Sequence, residues 1–469
     1  MNIYIKIEIK ARELESRLLL ALCAAEKGHT VYIGAFPNLL RRFLKPGIFH
    51  EKSIPPKVER IEELKFFRDN NFICTSQDEE SGLLDYDFVK EFALTRFSKE
   101  TLSLIFKQFS WGDYDDSLMK KTYPKFSDRI IKTGSPRVDL WRKDLSSFYV
   151  DKKIEKYKDL ILISSNFNSV VGKQPMHRAI EYERNAGYFN FDRGGEDFER
   201  TKYGLHVFNT QMLMHFIFAI RRLSKKYPEA NIIVRPHPIE SIESWNALLG
   251  KINNVYVVRE GGIGTWVKYA KVVIHNGCTT GIEARAMGKD VLAYKPITSD
   301  YEVRPPNKVS KEIFTEEDLI KVVGDILNGD SIKKDENKEL EIDNLMRSIL
   351  CNLDGKLAAD KIIIEWEKAK KKNDLSQNNS IYKLQIILWG LSFVNLVGKI
   401  KSNLKRYLPF FKTPSKKSNL INEKFPKFHD KEIENIIMNF QRALNRFDNQ
   451  KFSRLSSRMI VLKKNDYKS

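Results

Sequence analysis

KVVIHNGCTTGIEARAMGKDVLAY, residues 271–294, packs a strand, a turn, a helix and a second strand into one short run. KVVIH is apolar enough for a strand buried on both faces. NGCTTG is a turn of small residues. IEARAMG has helical spacing and closes on a glycine, and DVLAY is the next strand. Such a unit builds a parallel sheet with helices crossing over it. The same alternation extends upstream through DLILISSNF (159–167), a helix over 205–226, the strand NIIVRP, a helix over 241–250, the strand NVYVV and a helix over 264–270. A separate run opens the chain. IYIKIEI alternates like a strand, ARELESRLLLALCAAEKG is a helix capped at Lys27-Gly28, and HTVYIG follows. FICTS (72–76), a helical stretch near 86–108, RIIKTG (129–134) and a lysine-rich helix over 142–158 continue it. Two runs of alternation predict an α/β chain with two Rossmann-like doubly wound domains facing each other, at 1–150 and 151–371. A helix near 355–371 ends the second, and a basic helical tail fills 372–469.

The chain has 469 residues, 42% of them apolar, enough for two or three domains with cores of their own. Its four cysteines, Cys23, Cys74, Cys278 and Cys351, form no C-x-x-C pair. That pattern suggests neither a zinc site nor a disulfide framework and suits a reducing, cytoplasmic setting. The first residues are charged and carry no apolar core with a cleavage site, so no signal peptide is expected. A net charge of +19 invites nucleic acid, an anionic membrane surface or anionic substrates. No nucleic-acid module is visible, which leaves the other two. In the tail, residues 384–397 carry no charge, and 381–420 contain no Asp or Glu. Lys383 lies before that run, and Lys399, Lys401, Lys405, Arg406, Lys412, Lys416 and Lys417 follow it. The run is too short to span a bilayer but suits a helix lying in an anionic membrane interface. The competing expectation is a helix packed on the other domains or on a second subunit.

Four strand ends carry candidate chemistry. In VRPHP (234–238), Pro236 and Pro238 stop the strand and stiffen a loop presenting His237, where open α/β sheets place ligand contacts. In HNGCTTG, the backbone N–H groups near Gly277, Thr279, Thr280 and Gly281 at a helix start make a phosphate seat, with Glu283 in the helix's first turn. Ser164, Ser165 and Asn166 in ISSNFN put hydroxyls and an amide at another strand end. In FICTSQDEESG, a strand runs into Asp78-Glu79-Glu80. Crowded carboxylates tend to raise at least one pKa, which suits a general base. The phosphate loop G-x-x-x-x-G-K-[ST] is missing, and REGGIGTW (259–266) lacks the third glycine of a dinucleotide fingerprint. Two D-x-D triplets, Asp85-Tyr86-Asp87 and Asp113-Tyr114-Asp115, are read as solvated acidic pairs, and no metal site is expected.

Taken in order, KAREL (10–14), KPGIFHEKS (45–53), DEES, WGDY (111–114), GSPRVDL (134–140), SSNFN, RPHP and HNGCTTGIEA resemble the bacterial surface carbohydrate biosynthesis proteins across residues 1–345. The chain is also similar, more distantly, to GT-B glycosyltransferases that use CMP-activated acidic sugars. The resemblance implies a GT-B fold and an inverting, metal-independent transfer of a nonulosonic acid or Kdo from a CMP-sugar, with no further cofactor. Glu79 or a neighbour, Asp78 or Glu80, would be the base, with Arg12 and Glu13 on the acceptor side. His237 would hold the CMP phosphate or ribose beside Arg235, with Pro238 setting the loop. Thr279 and Thr280 would bind phosphate, and Glu283 would reach the ribose or cytosine. The family pattern expects glycine directly after two acids. Here Ser81 stands there and Gly82 follows, which leaves the register of the base open. The implied acceptor is a surface glycan or lipid-linked glycan at the inner face of the cytoplasmic membrane. A CDP-polyol phosphotransferase, a UDP- or GDP-sugar hexosyltransferase and a non-catalytic membrane-associated scaffold are the alternatives.

Overall fold

A computed structural model describes residues 1–80, 96–173, 175–185, 195–330, 335–371, 375, 379–392 and 425–465. The chain forms two compact units, one of Met1–Phe148 with Arg347–Ser469 and one of Tyr149–Met346.

In the first unit, β1 (Asn2–Lys6), β2 (Thr30–Gly34), β3 (Gly47–Glu51), β4 (Ile73–Gln77), β5 (Lys107–Ser110) and β6 (Ile130–Lys132) make a parallel sheet. Their order is β2-β1-β3-β4-β5-β6, so the topology reverses between β1 and β3. The alternation in IYIKIEI suggests a half-exposed strand, but Ile3, Tyr4 and Ile5 are all buried, as in a parallel sheet covered on both faces. Register places Tyr4 beside Tyr32 and Phe49. The three rings stack at 5.2 and 5.9 Å, and Phe67 continues the stack 4.0 Å from Phe49. Helix Lys10–Glu26 buries Leu14 and Leu18–Ala25, and the chain leaves it through Gly28 at φ +81°, a backbone conformation that favours glycine.

The second unit contains β7 (Leu160–Ser164), β8 (Ile232–Arg235), β9 (Val255–Val257), β10 (Ala270–His275), β11 (Asp290–Tyr294) and β12 (Lys311–Ile313). All are parallel, in the order β9-β8-β7-β10-β11-β12. This is the 3-2-1-4-5-6 arrangement of the Rossmann sheet, with its switch point between β7 and β10. The fold class expected from the alternation, two Rossmann-like α/β units, is the one observed. The lysine-rich stretch 142–158 differs from expectation: it forms short turns, a 3₁₀ segment at Lys143–Phe148 and a helix at Lys152–Glu155.

The expected boundary at 371 and the wholly helical tail are both corrected. Helix Ala358–Lys370 belongs to the first unit, where Trp366 is buried and its indole N–H donates to Thr75 Oγ1 at 3.1 Å. In helix 381–392, Leu384 and Leu388 enter the first unit's core, while Tyr382, Ile386 and Trp389 remain exposed. The basic cluster at 399–417 lies outside the described residues. After helix Asp430–Leu444, the chain makes an antiparallel hairpin of β13 (Gln450–Ser456) and β14 (Met459–Lys464). β14 pairs antiparallel with β2, Val461 beside Tyr32, and buries Met459–Leu462, so it covers an edge that would otherwise expose backbone groups. Among the described residues no helix is long and apolar enough to cross a membrane.

One buried carboxylate fastens the returning segment. Asp139, in GSPRVDL, accepts from the backbone N–H groups of Ala358 (2.9 Å) and Ala359 (3.0 Å) and from Asn352 Nδ2 (2.6 Å). These are the first N–H groups of helix Ala358–Lys370, which have no partner within the helix. Asp139→Ala should lower stability by roughly 3 kcal/mol, read from the denaturant midpoint, because buried donors lose their acceptor. Burial pushes the Asp139 carboxyl up to about 6. The folded chain therefore holds that proton more tightly than the unfolded chain, and the stability this contributes is fully present below about pH 4. It declines as pH rises through 6, and Asp139→Asn should flatten that slope.

Candidate functional site

In the first unit the motifs of the sequence converge at the end of β4. Asp78 is buried, and its Oδ1 accepts from the Glu80 backbone N–H (2.9 Å) and from Arg96 (3.0 Å), an Asx turn that fixes the loop. The indole N–H of Trp111, from WGDY, donates to the Asp78 carbonyl at 2.8 Å. Arg137, from GSPRVDL, donates to the Glu79 carbonyl at 3.3 Å. Glu79 Oε1 lies 2.5 Å from Nη2 of Arg17, and both side chains are buried. Its other oxygen, Oε2, is buried without a hydrogen-bond partner. Glu80 sits between Arg12 (2.7 Å) and Arg96 (2.6 Å). Burial opposes its charge, but the two guanidinium groups outweigh burial and hold the carboxyl down to about 2.

The three acids therefore separate. Glu80 is too weak a base at neutral pH. Asp78 is raised, chiefly by burial and much less by the crowding expected from its neighbours, and its turn occupies one oxygen. Asp78 Oδ2 and Glu79 Oε2 are both buried without a hydrogen-bond partner, so geometry does not choose between these two. Glu13, fully buried, accepts from the Glu8 backbone N–H (2.8 Å) and from Arg12 (3.1 Å), which makes it a brace for the KAREL turn. Ser81, and with it the register question, lies outside the described residues, as does Asp85-Tyr86-Asp87. In the second triplet, Asp115 accepts from the backbone of Trp111 and Gly112, both at 2.9 Å, and Asp113 pairs with Lys132 at 2.5 Å. Asp115 thus caps a helix, while Asp113 stays largely exposed, as a solvated acid does. Sequence spacing gave no sign of a further network at the β1/β3 switch point. There Glu51 is buried against Lys6 (3.4 Å) and Arg60 (2.7 Å), which outweigh burial and keep it below the usual carboxylate range.

In the second unit several expected ligand contacts are committed to the protein itself. Ser164 Oγ lies 2.9 Å from Thr280 Oγ1 and 3.3 Å from Cys278 Sγ, which braces β7 against the turn after β10. Thr279 precedes a helix of only seven residues, Thr280–Ala286, and makes no side-chain cap. Gly277 takes φ +78°, and Glu283 is buried. Arg235 donates to the carbonyls of Glu260 (2.6 Å) and Gly261 (2.9 Å) and stacks 5.7 Å above Trp266. Burial lowers it to about 10, which leaves it charged at neutral pH. His237 is half-buried, with Nδ1 accepting from the Ile239 N–H at 3.4 Å, and Pro238 is exposed. His275, unremarked in the sequence, ends β10 fully buried. Gly277 N–H donates to its Nδ1 at 3.0 Å, Ser310 Oγ lies 2.9 Å from its Nε2, and burial drops it to about 3, hence neutral.

The residue that organises this end was also missed. Glu240, directly after the RPHP loop, is completely buried. Its Oε2 accepts from Ser165 Oγ (2.5 Å) and Trp245 Nε1 (2.8 Å), and its Oε1 from the Phe167 N–H (2.5 Å). One carboxylate thus ties the loop after β8 to the loop after β7. At the switch point itself, the Asn166 N–H donates to Asn276 Oδ1 (2.9 Å), and Asn276 Nδ2 donates back to the Asn166 carbonyl (3.2 Å). Beside this clasp is a cavity of about 390 Å³, lined by Asn166, Asn168, His206, Asn276, Lys295 and Asn307, with Leu205, Phe208 and Met212 among its apolar walls. Its size is that of a small-molecule site. Of the expected nucleotide-binding residues, Asn166 lines it.

No family model and no curated protein sequence matches the chain. Among solved structures it is similar to the UDP-GlcNAc 2-epimerase from Neisseria meningitidis bound to UDP-GlcNAc, at 15% identity over 80% of this chain and 100% of that one, with a TM-score of 0.43. It is similar to S. aureus MnaA in complex with UDP, at 14% identity over 81% and 99% of the two chains, TM-score 0.46. It is also similar to the wall teichoic acid polymerase TagF, at 8% identity over 79% and 89%, TM-score 0.46. At such scores and identities these likenesses carry no conclusion about activity.

Glu240→Ala should free three buried donors at once and lower stability by roughly 3 kcal/mol. Thermal unfolding followed by tryptophan fluorescence reads it, because Trp245 loses its acceptor. An unchanged melting temperature would mean that Glu240 does not hold these loops.

Proposed function

We propose that the chain is a glycosyltransferase whose second unit binds a nucleotide-activated donor. The observation that carries this is the cavity at the carboxyl end of a 3-2-1-4-5-6 parallel sheet, beside its switch point, where such sheets bind their ligands. The order of motifs from KAREL to HNGCTTGIEA supports the finer reading, in which the donor is a CMP-linked acidic sugar, a nonulosonic acid or Kdo. The acceptor is a surface glycan or lipid-linked glycan. Its hydroxyl attacks the anomeric carbon, the bond from that carbon to the CMP phosphate oxygen breaks, and the configuration inverts. As the base that takes the hydroxyl proton the motif order favours Glu79, whose Oε1 lies against Arg17. His237 donates to the departing phosphate, whose charge is met without a metal ion.

The reaction is tested by release of free nucleotide from a panel of CMP-, UDP- and GDP-sugars and CDP-glycerol. CMP release from CMP-sugars is expected. Release only from another member would keep the fold and change the donor, and release from none would favour a scaffold. Glu79→Gln should cut transfer at least about 100-fold while donor binding, a property of the other unit, stays the same.

We also place the enzyme on the inner face of the cytoplasmic membrane. The exposed apolar edge of helix 381–392, with Tyr382, Ile386 and Trp389, supports this, together with the basic sequence that follows it. Removing the whole tail would also strip β13, β14 and the buried Phe440 from the first unit. A chain carrying Tyr382→Ser, Ile386→Ser and Trp389→Ser is the cleaner probe. It should lose flotation with anionic vesicles that the unaltered chain shows at low salt, and equal flotation would refute the placement.

A further inference from the structure

Helix Gly195–Lys226 of the second unit is apolar on two sides. Met212, Leu213, Phe216, Ile217, Ile220 and Leu223 are buried in that unit's core. A surface helix ordinarily turns charged residues away from its core. Here residues 203–220 contain no Asp, Glu, Lys or Arg. Tyr203, Val207, Met214 and Phe218 are exposed instead, by between 43% and 58%. At 3.6 residues per turn these four fall within about 60° of arc and form a stripe roughly 22 Å long. Leu205, Phe208 and Met212, on the far side of the helix, line the cavity. An exposed apolar stripe of this kind marks a contact surface.

The order of the residues along the stripe points to its partner. Tyr203, Val207, Met214 and Phe218 stand at spacings of four, seven and four, which read the same in either direction. A twofold axis between Thr210 and Gln211 therefore lays the stripe antiparallel on its own copy, with Val207 against Met214 and Tyr203 against Phe218. The pattern continues outward, since Glu196 precedes Tyr203 by seven positions and Lys225 follows Phe218 by seven. The same axis faces position 196 with position 225, so an acidic end meets a basic one. It also brings Arg200 towards Arg221, which is a cost, although the Arg221 guanidinium already donates to the Leu248 carbonyl at 2.9 Å. An anionic bilayer fits less well, because the acidic opening of the helix, GEDFER (195–200), lies at one end of the stripe.

We infer that a second copy of this chain covers the stripe, in an isologous antiparallel helix pair. A helix pair of this length buries less than the roughly 800 Å² per partner of a standard interface, so the dimer is a weak one with a micromolar dissociation constant. Dimerisation of this kind needs no ligand and is independent of the donor proposed above.

The test is sedimentation velocity of the full chain over about 1 to 100 µM, with circular dichroism checking the fold of each variant. The unaltered chain should pass from a monomer of 54.7 kDa to a dimer as concentration rises. Val207→Lys combined with Met214→Lys sets like charges across both Val207–Met214 contacts and should weaken association at least about tenfold. Val207→Lys combined with Met214→Glu sets opposite charges there and should restore it. A parallel pair would instead set position 207 against position 207 and stay dissociated, which would overturn the register. Should either variant fail to fold, Thr210→Cys combined with Gln211→Cys, beside the axis, should give a covalent dimer on mild oxidation that the unaltered chain does not form. Its absence would overturn the dimer. So would an unaltered chain that stays monomeric at every concentration, or a dimer that the first variant leaves intact. If the monomeric chain floats with anionic vesicles and loses flotation on Val207→Ser combined with Met214→Ser, the stripe belongs to a membrane and the dimer is refuted.

Discussion

The carboxylate of Glu240, buried among Ser165, Phe167 and Trp245, is the constraint on which the loops at the carboxyl end of the second sheet depend. Parallel strands finish in loops that the sheet's own ladder does not hold, so something else must fix them. A buried charge is costly unless its oxygens are hydrogen-bonded, and here three donors serve the two oxygens. Burial still pushes the Glu240 carboxyl up, which marks how far it is from water. With that anchor in place, Asn166 and Asn276 can clasp across the switch point and the cavity has a defined wall. Ser164 and Thr280 perform the same service for the turn after β10.

Carboxylates at strand ends divide by what they have left over. Glu240, Asp139 and Asp115 spend their oxygens on the chain and act as fasteners. Asp78 and Glu79 each have one oxygen engaged, by the turn and by Arg17, and the other buried without a partner.

Periodicity made the α/β alternation legible, because each strand from KVVIH to DVLAY is a local apolar run, and each motif was already visible as a strand end. Partnership across the chain was not. Nothing near residues 78–80 tells that Arg12, Arg17 and Arg96 will sort three adjacent acids into different roles. The hydroxyls of Ser164 and Thr280 looked available because neither carries a sign of the other, 116 residues away. MIVLKK at 459–464 is too short to announce itself as a strand, and only the open edge of β2 makes it one. The charge-free run at 384–397 suggested a membrane surface, yet Leu384 and Leu388 point into a core. Glu240 was passed over because a glutamate after a turn usually faces water.

Whether the donor is held at the switch point of the second sheet is read most directly by hydrogen exchange of the intact chain with and without a CMP-sugar. The backbone amides of Asn166–Asn168 and of Asn276 and Gly277 should exchange more slowly when the donor is present, with no comparable change around Glu51 and Arg60 in the first unit. Slowing confined to the first unit, with the loops after β7 and β10 unaffected, would contradict the account.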